Sequence, residues 1–350
     1  MERQIKVALF TYPSAFQNIG GGEILLLKTK EYLQREGVAV KLFDMWHDAL
    51  EDFDILHVVS SVKFCLGLIQ TAKNKGIKVV ITPVFFSTFQ RAWYEYGGLK
   101  RKVGACLRHS AKVLFPYFPS GRRKMLLLAD ALIPNSQSET DQLARLFAIE
   151  KTKMHVIPNC VDRSFEHADA TQFTTRYQLR DFILSVGRIE PRKNQLNLIK
   201  AVKNLKTPLV IVGDPVYGYQ DYYRRCKSEA SGNVVFIERI PHQDPLLKAA
   251  YAACRCFVSQ GWFETPGLAA LEAGLAGANI ATTYGGCTRE YFKGLVEYFN
   301  PADPQDIRRA VEGAINKEKN SLLKEHIREN FLWEVAARKN IEVYRRLLNA

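Results

Sequence analysis

Residues 261–290 read GWFETPGLAALEAGLAGANIATTYGGCTRE and follow the apolar run Cys256-Phe257-Val258-Ser259. That run predicts a short buried strand. Leu268 to Leu275 is rich in Ala and Leu and predicts a helix. Pro266 is placed for its first turn, where a missing N–H costs nothing. Asn279–Thr282 predicts the next strand. The unit carries Glu264 in its loop and Glu272 in its helix. Free N–H groups at the helix start, near Gly267 and Leu268, suit a phosphate. Gly267 has no side chain, so a ligand can approach the backbone. Glu272 lies about one and a half turns along the helix, where it could accept from the two hydroxyls of a ribose. Glu264 could do the same for a sugar beyond the phosphates. Taken alone, the two glutamates fit a helix cap and a wet helix face better than a ligand site; the context further up the chain shifts the balance.

Outward from this stretch the alternation repeats. Upstream come Phe182–Gly187 (strand), Asn194–Leu205 (helix), Leu209–Val212 (strand), Tyr219–Ser231 (helix), Val234–Ile237 (strand) and Asp244–Ala253 (helix). Downstream, Leu295–Phe299 predicts a last strand, and the chain is helical in pattern from 303 to 350. The first half has its own set. Strands are expected at Ile5–Thr11, Val38–Asp44, Asp54–Ser60, Lys78–Phe85, Ala131–Asn135 and Met154–Pro158. Helices are expected at Glu23–Arg35, Phe64–Asn74 and Glu139–Phe147. Apolar strands alternating with helices imply parallel sheets covered on both faces. The fold class is therefore α/β, with two doubly wound domains, 1–165 and 180–333. The polar, aperiodic residues 166–179 read as the linker.

The chain has 350 residues, 47% hydrophobic and 24% charged, as expected for soluble globular domains. No apolar run reaches the length of a membrane span, and the first residues read directly into a strand rather than a signal peptide. Seven cysteines without a C-x-x-C pair suggest reduced, buried thiols and a cytoplasmic location. Net charge is +13 and uneven. Residues 91–125 hold Arg91, Lys100, Arg101, Lys102, Arg108, Lys112, Arg122, Arg123 and Lys124 against one acid, Glu95. Trp93, Tyr94, Tyr96, Phe115, Tyr117 and Phe118 are interspersed. Such a mixture fits an anionic membrane surface or a phosphorylated acceptor. It also fits a solvated basic face with a few core aromatics. Nucleic acid is not expected as a partner.

Ligands of open α/β sheets bind at the carboxyl ends of the strands. Two more elements point there. Gly20-Gly21-Gly22 follows the first strand, as a close-approach loop or a plain flexible turn. Ser185-Val-Gly-Arg-Ile-Glu-Pro-Arg-Lys-Asn194 follows the first strand of the second domain. Its Arg188 can grip two phosphate oxygens, and Lys193 acts as a mobile point charge. An exposed basic turn is the plainer alternative.

In this order these elements resemble the retaining GT-B glycosyltransferases of family four, the group 1 glycosyl transferases. The matching residues are Gly20–Gly22, Ser136, Pro158-Asn159-Cys160-Val161-Asp162, Val186-Gly187-Arg188, Lys193-Asn194, Glu264-Thr265-Pro266-Gly267-Leu268, Glu272-Ala273 and Trp333. The resemblance implies GT-B architecture, two Rossmann-like domains facing a central cleft, with a final helix (about 334–350) packing back on the first. It implies transfer of a sugar from a UDP- or GDP-linked donor, with retained anomeric configuration, to a cell-envelope glycan or lipid-linked acceptor. Arg188 and Lys193 would hold the diphosphate, Glu264 the donor sugar and Glu272 the ribose. The backbone at Gly187, Pro266, Gly267 and Leu268 would line the donor site, and Gly21 and Gly22 the facing loop. No metal and no cofactor are implied, the nucleotide sugar being a co-substrate. In the route proposed for such enzymes the leaving phosphate takes the acceptor proton. A cytoplasmic enzyme, peripheral on the inner face of the membrane, follows. Relatives often carry a His after the fourth strand; here Thr82-Pro83-Val84-Phe85 puts Val84 in its place. Alternatives are a transferase for soluble acceptors, a sugar-nucleotide epimerase, or a nucleotide-sugar-binding protein with weakened transfer.

Overall fold

The computed structural model describes residues 3–17, 19–94, 98–319 and 321–349, without the side chain of Arg91. Of the basic segment, Glu95, Tyr96 and the Arg91 side chain therefore lie outside the described residues. The chain divides into two compact units. The first comprises 1–87, 108–160 and 333–350; the second comprises 88–107 and 161–332.

Unit 1 is built from β1 (Lys6–Phe10), α1 (Gly21–Arg35), β2 (Ala39–Leu42), β3 (Ile55–Val59), α2 (Leu66–Asn74) and β4 (Lys78–Thr82). The chain then leaves through α3 (Phe89–Tyr94) and the first part of α4 (Leu99–Leu114), which count with unit 2 as far as Leu107, and continues in unit 1 with the rest of α4, α5 (Gly121–Leu128), β5 (Ala131–Leu132) and α6 (Gln137–Phe147). The sheet is parallel throughout, in the order β2-β1-β3-β4-β5. The order reverses between β1 and β3, so the loop after β1 opens at a switch point. Strand β3 is buried along its whole length, which is why it reads as an unbroken apolar run with one exception, His57. That imidazole is held between Tyr344 Oη (2.6 Å) and Thr82 Oγ1 (2.9 Å).

Unit 2 contains α7 (Thr171–Tyr177), β6 (Ile183–Val186), α8 (Gln195–Val202), β7 (Leu209–Val212), α9 (Gln220–Glu229), β8 (Val234–Ile237), α10 (Pro245–Ala253), β9 (Cys256–Ser259), α11 (Leu268–Leu275), β10 (Asn279–Thr283), α12 (Thr288–Phe292), β11 (Glu297–Phe299), α13 (Pro304–Asn316) and α14 (Ser321–Asn330). Its six strands run parallel in the order β11-β10-β9-β6-β7-β8. Counted from β6, this is the doubly wound order with its switch point between the first and fourth strands, β6 and β9. The last helix, α15 (Trp333–Leu348), belongs to unit 1. Its Trp333 stacks on Tyr32 of α1 and its Tyr344 bonds His57.

Three expectations change. Residues 166–179 are not a bare connector: α7 lies there, and Phe173 is fully buried in the unit 2 core beside Phe182. Met154–Pro158 does not form a full strand; it makes one parallel bridge, Met154 to Leu132, with His155 N–H donating to Leu132 O. Strand β4 stops at Thr82, because Val84 takes a left-handed φ of 49°. All seven cysteines are thiols outside any disulfide, six of them buried. Among the described residues no helix is long and apolar enough to cross a membrane.

Candidate active site

The candidate residues of unit 2 gather at the carboxyl ends of β6 and β9, on the two sides of the switch point. Two glycines shape the floor. Gly187 has φ 148° and Gly213, after β7, has φ 152°. A Cβ on Gly213 would stand 2.0 Å from the Gly187 carbonyl oxygen, so no side chain fits there.

Beyond Gly187 the chain makes a single 3-10 turn, Pro191–Lys193, and enters α8 through Asn194 in the left-handed region. The Asn194 amide donates to Gln260 O (3.2 Å) and Pro301 O (2.8 Å), tying the loop after β6 to the loop after β9. Ser185 Oγ donates to Gln260 Oε1 at 3.0 Å, a second tie. Trp262 adds two more, its backbone N–H to Arg192 O and its indole N–H to Pro191 O. The loops are thus one hydrogen-bonded body, which fixes the charged side chains they carry.

Lys193 Nζ lies 2.6 Å from Glu264 Oε1, with Glu264 only 5% exposed. Burial pushes the Lys193 ammonium below its ordinary value, and the Glu264 charge opposes that shift. Glu264 is fixed at its backbone as well. Its N–H donates to Gly285 O and its carbonyl accepts from Cys287 N–H. A Cβ on Gly286 would fall 1.9 Å from the Glu264 carbonyl oxygen, and one on Gly261 would fall 2.8 Å from Oε1. The other oxygen, Oε2, reaches the start of α11: a Cβ on Gly267 would be 3.3 Å from it. A carboxylate there is favoured by the helix dipole.

Helix α11 starts at Leu268 with Gly267 as its N-cap at φ 91°. Pro266 therefore precedes the cap and does not sit in the first turn. Glu272 is 5% exposed. One of its oxygens meets His242 Nε2 at 2.7 Å and the other accepts from Tyr251 Oη at 2.9 Å. Arg188 is half-exposed and shares Glu190 with Arg192, at 3.4 and 3.1 Å. Its carbonyl accepts from Gln195 Nε2, while Gln195 Oε1 is buried with no hydrogen-bond partner among the described residues.

Gly21 and Gly22 lie in unit 1, in the first turn of α1 after the switch-point loop. Glu23 caps that turn: it accepts from Gly20 N–H and Tyr12 Oη, each at 2.7 Å. Val84 is 41% exposed, and the turn around it is clamped. Phe85 N–H donates to Glu139 Oε1 (2.5 Å) and Ser87 N–H to Gln142 Oε1 (2.8 Å).

Sequence reasoning passed over His242, Tyr251, Arg192 and the glycine pair Gly285–Gly286. The glycines stood in the quoted stretch and carried a signal. His242 and Tyr251 stand 30 and 21 residues from Glu272 and carried none.

Two family models match the chain: Glycosyl transferases group 1 over residues 169–330 and Glycosyltransferase Family 4 over residues 43–165. The chain belongs to the group 1 glycosyl transferases. Among curated relatives of this glycosyl transferase, the serotype-specific mannosyltransferase WbdA of Escherichia coli is 30% identical over 241 residues. That match takes in 63% of the chain and 29% of the mannosyltransferase. An N-acetylgalactosamine-N,N'-diacetylbacillosaminyl-diphospho-undecaprenol 4-alpha-N-acetylgalactosaminyltransferase of Campylobacter jejuni is 37% identical over 91 residues, 25% of the chain and 24% of that protein. Each match thus takes in under a third of the relative's own length. Its fold is GT-B. Sucrose-phosphate synthase from Thermosynechococcus elongatus superposes with a TM-score of 0.78 at 17% identity, covering 99% of this chain and 100% of that one.

Proposed function

We propose that the chain is a cytoplasmic, retaining glycosyltransferase that moves a sugar from a UDP- or GDP-linked donor to a glycan or lipid-linked acceptor without a metal. The observation that carries this reading is the buried Lys193–Glu264 pair at the unit 2 switch point, next to the start of α11. A departing nucleoside diphosphate gains negative charge. An ammonium and a guanidinium, Lys193 and Arg188, are the groups that stabilise it. Glu264 opposes the shift by which burial lowers the Lys193 ammonium, and the lysine is held in place because both loops are tied. The N–H groups at Gly267 and Leu268 add a dipolar contribution of about 0.3–2 kcal/mol. Glu272, aimed by His242 and Tyr251, has acceptor capacity left for ribose hydroxyls, since each carboxylate oxygen offers two lone pairs. In this reading the leaving phosphate accepts the acceptor's proton, so no protein nucleophile is required.

A lipid-linked glycan acceptor is supported by the name of the Campylobacter relative, which specifies a diphospho-undecaprenol saccharide, and sugar transfer by the name of the Escherichia coli mannosyltransferase. A second reading, donor binding with weakened transfer, is favoured by Val84, whose side chain neither donates nor accepts a hydrogen bond.

Thermal unfolding with a panel of nucleoside diphosphates and their sugars, with and without Mg²⁺, tests the reading. A ligand at 100 times its dissociation constant adds about 2.7 kcal/mol of stability. A shift with one base, independent of Mg²⁺ and lost in Lys193→Ala, supports the donor site. No shift with any nucleotide overturns it. Slow donor hydrolysis then separates a transferase from a binding protein.

A further inference from the structure

Helix α4 carries its apolar side chains on the wrong face for an ordinary surface helix. Leu99, Val103, Leu107, Ala111 and Phe115 follow one another at four-residue spacing, which places them in one stripe. All five are exposed, Leu99 at 68%, Leu107 at 64% and Phe115 at 64%. The opposite side buries Ala105 and His109. The last residue of the helix and the turn that follows continue the exposure: Leu114 and Phe118 are each 70% exposed and Tyr117 is 73% exposed. Phe118 N–H donates to Phe115 O, so the turn is ordered rather than splayed. A soluble helix normally presents polar residues outward. A contiguous apolar ridge of this kind marks an interaction surface.

The charges say what covers it. From Leu99 to Lys124 the sequence has eight Lys or Arg residues and no Asp or Glu. Lys100, Arg101, Arg108 and Lys124 are exposed. Arg122 and Arg123 are partly committed elsewhere, donating from Nε to Ser61 O and Phe147 O, both at 2.9 Å. A protein partner for an apolar ridge does not need a rim of one sign. An anionic bilayer matches both parts: acyl chains take the ridge, and lipid phosphates take the cations.

We propose that α4, the turn after it and the start of α5, Leu99 to Lys124, form a membrane-docking face that lies on an anionic lipid surface. It stands independently of the donor-site reading, because none of its residues belongs to that site. The cations draw the chain to the surface, and the aromatic and aliphatic tips sink into the interface. Each Lys or Arg near such a surface contributes about 1 kcal/mol, so replacing four lowers vesicle affinity by about 10²–10³-fold at low salt.

The test is co-sedimentation with phosphatidylcholine vesicles, with and without phosphatidylglycerol, across a salt series. Wild type is expected to sediment with the anionic vesicles only, more weakly as salt rises. Lys100, Arg101, Arg108 and Lys124 changed together to Gln should lose that affinity by the stated factor. Leu99, Leu107, Phe115 and Phe118 changed together to Ser should also lose it, with all cations present. Because the eight side chains are exposed, both variants should keep the wild-type unfolding midpoint, which shows that they are folded. Wild type failing to sediment at low salt overturns the proposal. So does retained binding by the folded Ser variant. A concentration-dependent dimer, abolished in the Ser variant and without vesicle binding, would instead assign the ridge to a second copy of the chain and overturn it too.

Discussion

Lys193 Nζ and Glu264 Oε1 meet at 2.6 Å although 71 residues separate them in the chain. One comes from the loop after β6 and the other from the loop after β9. Their meeting is a direct result of strand order, since β6 and β9 are neighbours in the sheet.

If this pair stabilises a leaving diphosphate, its two halves fail differently. Lys193→Ala is expected to slow turnover by about 10²–10³-fold, the loss typical of a preorganised oxyanion donor. Glu264→Gln removes the charge that holds the lysine pKa up against burial. The high-pH limb of its activity profile should therefore move to lower pH, because the lysine loses its proton sooner. The same variant should lose about 1–3 kcal/mol of stability. A folded Lys193→Ala enzyme slowed less than threefold would remove the lysine from the mechanism.

Gly286 supplies a backbone test of the same loop. Its φ is 97°, and a Cβ would collide with the Glu264 carbonyl oxygen. Gly286→Ala is expected to cost at least about 1–3 kcal/mol and to blunt the nucleotide-induced thermal shift. Gly294→Ala is the control, since its Cβ would meet open space. Equal behaviour of the two variants in denaturant and ligand titrations would contradict the crowding argument.

Acid should reveal His57. Burial pushes its pKa down to about 3, against an ordinary value of 6.5. Below about pH 6.5 the unfolded chain takes up a proton that the folded chain refuses, so stability falls as pH drops toward 3. The slope from this one group is about 1.4 kcal/mol per pH unit. His57→Gln keeps a polar partner for Tyr344 and Thr82 but cannot ionise. Urea midpoints between about pH 7 and pH 5 should therefore fall less steeply in the variant. Parallel slopes would place the imidazole in a wetter setting.

Val84 carries a β-branched side chain at a φ of 49°, a conformation that costs about 1–3 kcal/mol. Glycine adopts it freely but loses about 0.5–1 kcal/mol more backbone entropy on folding. With the side chain 41% exposed, little burial is at stake. Val84→Gly should raise stability by about 1 kcal/mol net. A lower urea midpoint would show that the isopropyl group makes packing contacts outweighing the strain.

Much of this was legible from periodicity. The run Cys256 to Leu275 gave a buried strand and an Ala-rich helix, because both elements are buried and neither competes with surface polarity. The site's ion pair was legible as two charged residues at strand ends, though not as a pair. Spacing along one segment says nothing about a partner across a sheet, which is also why His242 and Tyr251 escaped notice. Helix α7 was lost because it is seven residues long with one fully buried side chain, Phe173, too little pattern to register. Helix α4 was lost for the opposite reason. Lys100, Arg101, Lys102, Arg108 and Lys112 fall between its apolar residues, so the segment stands out by its charge rather than by its period.

Helix α15 completes unit 1 from the far end of the sequence, with Trp333 on Tyr32 and Tyr344 on His57. During synthesis the order of completion is therefore inverted. Every strand of unit 1 leaves the ribosome first, yet His57 has no Tyr344 and Tyr32 no Trp333 until the last helix follows. Unit 2 has all its strands by Phe299 and closes earlier. The first unit waits with an uncovered side of its core while the second forms, and a nascent chain arrested near Leu332 would hold one finished unit and one open one.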